Sequence, residues 1–519
     1  MSTSPKESYS ENNIYYLKSS FYHLNRIPAP IRLVWHLNNL FNYSQRNKVK
    51  KIMVYGPNAN TFQTGGGSGS LDPFHYVSTL EGIQKLAVEN NIEIVKMDMF
   101  SSTPNEFFID KSSKTPGLKA QFFSNTNLAG KPVAERIDTA INFNWANGTG
   151  IPNLDKYNAS IRWTGVIRPT ATNNYNFFIA GDDGFRLFID GKKVCEKWSD
   201  GATTVRNVRL KLEGNTEHEI CIEYYQGTGG ADFVVKTTVV KDGEIEKQCA
   251  DVDLIVACFG FNAYTEMEGA DRNFGLSDIE TQMITDLSFA RKPIVGVVNA
   301  GGNVEMQGWL PKLSALLWAW YPGQEGGTAI AEVLFGKVNP SGKLPATFEK
   351  KWADNPTFNS YYDDNNDKRV IYKEGIFVGY RGYDKNKTEV QFHFGFGLSY
   401  SKFELSDLSV QPSKTKKSKV TVTCKIKNTS VVEGAEVVQL YIGGKSAKYQ
   451  EQPIKELKGY EKVNMKAGET KIVKFEVTER DLSYFNVAKN KFVFEKGEYR
   501  FMIGNSSWAI KLEKNLKIK

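Results

Sequence analysis

The chain has 519 residues, of which 40% are hydrophobic and 24% charged, a composition that suits roughly three to four globular domains and excludes a disordered chain. Its 66 basic and 58 acidic side chains leave a formal net charge of +8. Both signs are interspersed, and the tightest basic run (Lys414, Lys416, Lys417 and Lys419) lies between apolar strands with no base-stacking or groove-reading motif nearby, so neither a nucleic-acid partner nor, without an apolar run of about 18 residues, a membrane partner is expected.

Residues 1–48 form an unassigned N-terminal segment: apolar residues occur without a clean period, and Pro28 and Pro30 interrupt the middle. Met1 to Asn13 is polar and lacks a basic head followed by an apolar run, so no signal peptide is expected and the chain as written reads as cytoplasmic. From Lys51, the run Ile52-Met53-Val54-Tyr55 ends in Gly56-Pro57 and predicts a buried strand closed by a turn. A glycine-rich loop follows, Gly65 to Gly69. It lacks the G-x-x-x-x-G-K spacing of a phosphate cradle and reads as a flexible or closely approached loop. Ser78 and Glu81 have capping-box spacing, Leu80, Ile83, Leu86 and Ala87 make one helix face, and Ile92 to Val95 is a second strand.

The pattern then changes. From about Leu118 to Val240 short strands follow one another with almost no helical period. Tyr175, Phe177 and Ile179 alternate toward one face, and Asp190-Gly191 is a hairpin signal. Strand–helix periodicity resumes at Leu254 to Phe259, with a second capping box at Ser277 and Glu280, a strand at Ile294 to Val298, and a helix face of Ala329, Ile330, Val333 and Leu334 before Gly336. The end of the chain is all β again; Val420, Val422, Cys424 and Ile426 alternate cleanly. The expected fold class is therefore α/β plus all-β: an α/β sandwich domain (49–112 and 245–402) interrupted by an inserted β-sandwich (113–244) and followed by a C-terminal immunoglobulin-like β-sandwich (403–519).

Several blocks, in order, carry a resemblance. Lys51 to Ala59, Gly65 to Gly69, Ser78 to Ile83, Glu268-Gly269-Ala270-Asp271-Arg272, Trp320 to Gly327, Val338 to Phe348, Gly375 to Tyr383 and Phe394 to Tyr400 resemble the second domain of family 3 glycoside hydrolases of the β-glucosidase type. The insert, on Gly181 to Gly191, resembles a protective-antigen-type sandwich. The tail, on Leu457 to Val463 and Ala467 to Thr470, resembles a fibronectin type III-like domain. The resemblance implies hydrolysis of O-glycosyl bonds in a β-glucoside or oligosaccharide, without cofactor or metal. It also implies a departure: members of the family begin with a barrel that carries an aspartate nucleophile, whereas here 48 residues precede the second domain and do not resemble barrel sequence. No aspartate of the chain is assigned as nucleophile, so a barrel on a separate polypeptide, or one lost through a mis-set gene start, would be needed. The alternatives are a non-catalytic carbohydrate- or protein-binding module and a truncated gene product.

Retaining glycosidases work with two carboxyl groups, one that protonates the leaving oxygen and one that attacks the anomeric carbon. By the resemblance Glu268 is the general acid/base, with Glu266 the competing candidate two residues away. Asp271 and Arg272 are expected to pair with each other and fix the loop, and Glu268 to titrate as a solvated glutamate. Asp182-Asp183 is read as a turn between strands, with calcium left open because calcium wants six or more oxygens. Trp145, Trp163 and Trp198 are read as sandwich core rather than sugar platforms. The five cysteines (Cys195, Cys221, Cys249, Cys258 and Cys424) are odd in number and contain no CxxC, which argues against a disulfide framework or a zinc site and leaves open one Cys195–Cys221 bridge.

Overall fold

The computed structural model describes residues 49–96, 101–102, 106–145, 148–201, 203–240, 243–269, 271–363, 366–413, 419–444 and 451–518. The N-terminal segment 1–48, together with Ala270, Lys414, Lys416 and Lys417, lies outside them.

Five short apolar runs make one parallel sheet: β1 (Lys51–Tyr55), β2 (Glu93–Lys96), β3 (Leu254–Gly260), β4 (Ile294–Asn299) and β5 (Ala315–Trp318), in the order β5-β4-β3-β1-β2. β3 and β4 are buried at every residue, as central strands covered on both faces must be. One face, carrying Met53, Ile255, Ala257 and Phe259, packs on Met283, Ile284 and Leu287 of α2 (Asp278–Phe289). The other, carrying Val54, Val256 and Cys258, packs on α1 (Thr79–Glu89) and α3 (Gly326–Leu334) through Ile83, Leu86, Ile330 and Leu334. Both capping boxes form: Ser78 with Glu81 opens α1, and Ser277 with Glu280 opens α2.

The sheet order reverses between β1 and β3. From β1 the chain turns outward through α1 to β2, and from β3 it runs the other way to β4 and β5. The register Val54↔Val256 and Val256↔Val295 places the C-terminal ends of β1, β3 and β4 side by side. In open α/β sheets this reversal is where a crevice forms and ligands bind.

The insert is a separate sandwich of two antiparallel sheets. Its core stacks Trp163 on Phe233 and Phe233 on Tyr224, with Trp145 also buried. It begins earlier than residue 113: Ser101–Ser102 pairs with Thr238 and Val239, and Phe107–Phe108 pairs with Val166 and Ile167. Two-residue strands carry too little alternation to be read from sequence. Trp198 departs from the core expectation; it is partly exposed, with the Arg186 guanidinium 3.7 Å above its ring. The Cys195–Cys221 bridge is excluded by side-chain direction. Cys195 lies opposite Leu187 on the core face, whereas Cys221 lies opposite Phe188 on the outer face, and successive strand residues point to opposite sides. All five cysteines are free. Asp182 and Asp183 occupy the turn between strands Asn173–Gly181 and Gly184–Ile189, and the Asp183 carboxylate accepts from the amides of Gly201 (2.9 Å) and Gly227 (2.8 Å).

The insert also touches the α/β layer away from its two connections: Arg209, on strand Thr204–Leu212, forms an ion pair with Asp286 of α2. The C-terminal sandwich has a three-stranded sheet (Phe403–Pro412, Val420–Asn428, Thr470–Val477) and a four-stranded one (Gly434–Gly444, Glu456–Met465, Gly497–Gly504, Ile510–Ile518).

Candidate active site

Two loops rise from the sheet at its reversal. One follows β1 and carries Gly65 to Gly69; the other follows β3 and carries Glu266 to Arg272. They join as a short parallel bridge between Gly66 and Met267, in which the Gly66 amide donates to the Glu266 carbonyl at 2.9 Å. Beyond the bridge, the Ser68 amide donates to the Glu268 carboxylate at 2.9 Å. Glycine is required at this joint. A Cβ on Gly66 would lie 2.2 Å from the Ala263 carbonyl oxygen, and one on Gly67, where φ is +64°, would lie 2.6 Å from Glu268 Cβ. The glycine run is thus a closely approached loop with defined partners. Its far end is pinned to the turn before α3: Phe74 donates its amide to the Gln324 side chain at 3.0 Å, and His75 meets Glu325 at 2.8 Å.

The two glutamates of the second loop have opposite environments. Glu266 turns inward. Its Oε1 accepts from Arg272 Nε at 2.7 Å, and its Oε2 accepts from the Gly301 amide at 2.7 Å and the Tyr321 hydroxyl at 2.5 Å. Burial first, and the Glu266 carboxylate second, push the Tyr321 hydroxyl well above the usual tyrosine range, so it stays protonated and donates. Glu268 turns outward and is solvent-exposed. The Ser68 hydroxyl and then its amide stabilise the charged form and hold this carboxyl below the usual glutamate range. The expectation of an ordinary solvated glutamate is corrected here, because the glycine loop offers hydrogen-bond donors that the sequence did not disclose.

The expected Asp271–Arg272 pair does not form. Arg272 pairs with Glu266, lies 4.5 Å over the Phe261 ring and donates to the Asn303 carbonyl; Asp271 accepts from the Tyr362 hydroxyl at 3.2 Å. Two better partners win: Arg272 finds the Glu266 carboxylate at 2.7 Å and Asp271 the Tyr362 hydroxyl, so adjacency in sequence does not decide the pairing. Tyr321 and Ser68 were not singled out by sequence reasoning. The available signals were that Tyr321 belongs to the Trp320–Gly327 block and Ser68 to the Gly65–Gly69 block.

The two loops and the segment that meets Asp271 carry exposed apolar and aromatic side chains. Tyr264 is 82% exposed and Phe74 fully exposed, and Leu71, Met267 and Tyr362 are exposed as well.

Residues 46–380 match the glycosyl hydrolase family 3 C-terminal domain, and residues 436–507 match a fibronectin type III-like domain. The chain belongs to glycoside hydrolase family 3. It is 32% identical to a β-glucosidase of Kluyveromyces marxianus over 93% of its own length and 61% of that protein, and 30% identical to a β-glucosidase of Rhizobium radiobacter over 90% and 59%. The structure of the Kluyveromyces β-glucosidase in complex with glucose superposes with a TM-score of 0.60 at 30% identity, covering 93% of this chain and 62% of that one. The family 3 chain described here thus spans about 60% of the length of these relatives. Among its described residues the sheets are one open parallel sheet, antiparallel sandwiches and two-stranded ribbons, with no closed barrel.

Proposed function

We propose that this chain is the acid/base-bearing part of a retaining β-glucosidase and that Glu268 is its proton donor. The observation that carries the reading is the position of Glu268. Its carboxylate stands on the strand-end edge of a parallel sheet, at the reversal of strand order, between two loops joined by backbone hydrogen bonds. An α/β sheet presents ligands at that edge, and a general acid must reach its leaving oxygen while held in a defined place. Glu266 suits the role less well, since three donors from the protein already occupy its oxygens.

The second carboxyl group comes from elsewhere in this reading. A retaining mechanism requires a nucleophile about 5–5.5 Å from the acid, and a barrel domain is its source. Tyr264 and Met267, on the same loop as Glu268, and Leu71 and Phe74, which follow the glycine run, are exposed and are the apolar side chains that such a barrel would cover, as exposed apolar surface at a partner face is covered. The substrate is a β-glucoside or a short oligosaccharide. The test is to mix the purified chain with the barrel of a family 3 β-glucosidase. Micromolar binding by calorimetry, together with aryl β-glucoside hydrolysis that needs Glu268, is expected. Absence of binding across several barrels would defeat the split-enzyme reading and favour a binding module.

A further inference from the structure

We propose that Glu266 is a positioning residue: its half-buried side chain is the anchor that holds the Glu268 loop and the glycine loop in register. The inference rests on the reading of Glu268 as the acid/base, but its geometry is independent of any reaction.

Glu266 is the point where four parts of the chain converge. Its side chain joins Arg272 on its own loop, the Gly301 amide beyond β4 and Tyr321 beyond β5. Its backbone carbonyl receives the Gly66 amide of the loop after β1. One residue therefore ties the ends of β1, β3, β4 and β5 together directly beneath Glu268. The anchor is charge-assisted on both sides: a guanidinium donates to one oxygen, and a neutral phenol and an amide donate to the other, all at 2.5–2.7 Å, within the range of strong ionic hydrogen bonds. Arg272 is fixed in turn by the Asn303 carbonyl and the face of Phe261. Nothing comparable holds Glu268, whose one protein partner among the described contacts is Ser68. The Ser68 contact exists only while the Gly66–Met267 bridge is intact, because that bridge sets where the Ser68 amide points. Disturbing Glu266 should therefore be read out at Glu268, two residues away and on the opposite side of the loop.

The test uses the full chain and needs no activity. Glutamate labelled at its carboxyl carbon is incorporated, and the Glu268 resonance is assigned by difference against Glu268→Gln. In Glu266→Gln one carboxylate oxygen becomes an –NH2, which must face either the Arg272 guanidinium or the Gly301 amide, donor against donor, and the anchor opens. The Glu268 titration midpoint is expected to move up toward the ordinary glutamate value. Deuterium exchange over residues 64–72 should speed at least tenfold, while exchange in α1 stays unchanged. If α1 also loosens, the fold has been disturbed and Tyr321→Phe decides, because it removes one donor only; a smaller upward shift of the same midpoint is expected. Asp271→Asn, on the same loop but outside the anchor, should leave the midpoint in place. An unmoved Glu268 midpoint in both Glu266→Gln and Tyr321→Phe overturns the proposal, as does an equal shift in Asp271→Asn. Failure of the acid reading would instead appear as normal turnover by Glu268→Gln in a barrel-supplemented assay, with these titrations unaffected.

Discussion

The Ser68 amide donates to the Glu268 carboxylate at 2.9 Å across 200 residues of sequence. The Ser68 hydroxyl first, and this amide contact second, favour the charged carboxyl and place its folded-state pKa below the usual glutamate value. For such a group the stabilising contribution is fully present above the unfolded pKa and is lost as pH falls through the lower, folded value. In the isolated chain the Ser68 amide resonance should therefore shift on acidification with a midpoint below the ordinary glutamate value of about 4.3. In Glu268→Gln the shift should vanish. A Ser68 midpoint at or above the ordinary value would show that the two groups are not bonded in solution.

A second prediction concerns the packing of α1 on α3. A Cβ on Gly82 would lie 2.1 Å from the Gly327 carbonyl oxygen, so the helices touch backbone to backbone. Gly82→Ala gains about 1 kcal/mol of helix propensity but forces the helices apart, at roughly 1–3 kcal/mol for overpacking and more where backbone must move. A net loss of about 1–2 kcal/mol is expected in urea unfolding monitored over the α/β domain. A raised midpoint would mean that propensity wins and the helices are further apart than described.

The third prediction addresses the joint between insert and α/β domain. Asp286 is buried on α2, accepts from Gln282 at 2.9 Å and pairs with Arg209 of the insert. Asp286→Ala leaves a largely buried guanidinium without its carboxylate, which costs about 2–4 kcal/mol. The loss should be localised: deuterium exchange should speed first along strand Thr204–Leu212 and α2, where Arg209 and Asp286 meet, before the other core strands of either domain. Exchange rates there equal to those of the unsubstituted chain would show that this ion pair does not hold the insert against the α/β domain.

What could be read from sequence follows a physical division. The central strands β3 and β4 and the capping boxes at Ser78 and Ser277 rest on local signals, continuous apolar runs and a partner three residues on, and both boxes form. The three bodies were separable because a helical period stops and an alternating one begins. The site was legible as a loop but not as an arrangement. Glu268 and Glu266 could be named, yet which of them is free depends on Ser68, Gly301 and Tyr321, which lie far away in sequence and meet only through sheet order. The Asp271–Arg272 pairing fails for the same reason, since the partners each side chain finds, Glu266 and Tyr362, are set by the fold and not by adjacency in sequence. The start of the insert at Ser101 was missed because two-residue strands have no period to detect.

Activity of the chain alone is expected to be negligible toward aryl β-glucosides. Removing one member of a catalytic unit typically costs about 10⁴–10⁶ in rate, and no nucleophile is assigned in this chain. Turnover by rigorously purified protein that is abolished by a covalent, mechanism-based glycosidase inhibitor would show that a nucleophile is present in the 519 residues.

The final prediction separates the two glutamates in a barrel-supplemented enzyme. Covering Glu268 with a barrel removes solvent and brings a negatively charged nucleophile close, and both changes raise a carboxyl pKa. They must overcome the Ser68 contact, which acts in the opposite direction. Glu268 is then protonated near the working pH and can donate. Glu268→Gln should cut hydrolysis of substrates with poor leaving groups by about 10²–10⁴. It should spare the glycosylation step for activated aryl leaving groups, which depart without a proton, and azide should partly restore turnover by attacking the glycosyl-enzyme in place of water activated by the base. Glu266→Gln should behave differently. Its carboxylate is already committed to Arg272, Gly301 and Tyr321, so loss of the anchor misplaces Glu268 without deleting it. Turnover should fall for all leaving groups by a similar factor, and azide should not rescue it. If azide rescues Glu266→Gln while Glu268→Gln keeps normal activity, the proton donor is Glu266 and the roles assigned on this loop are reversed.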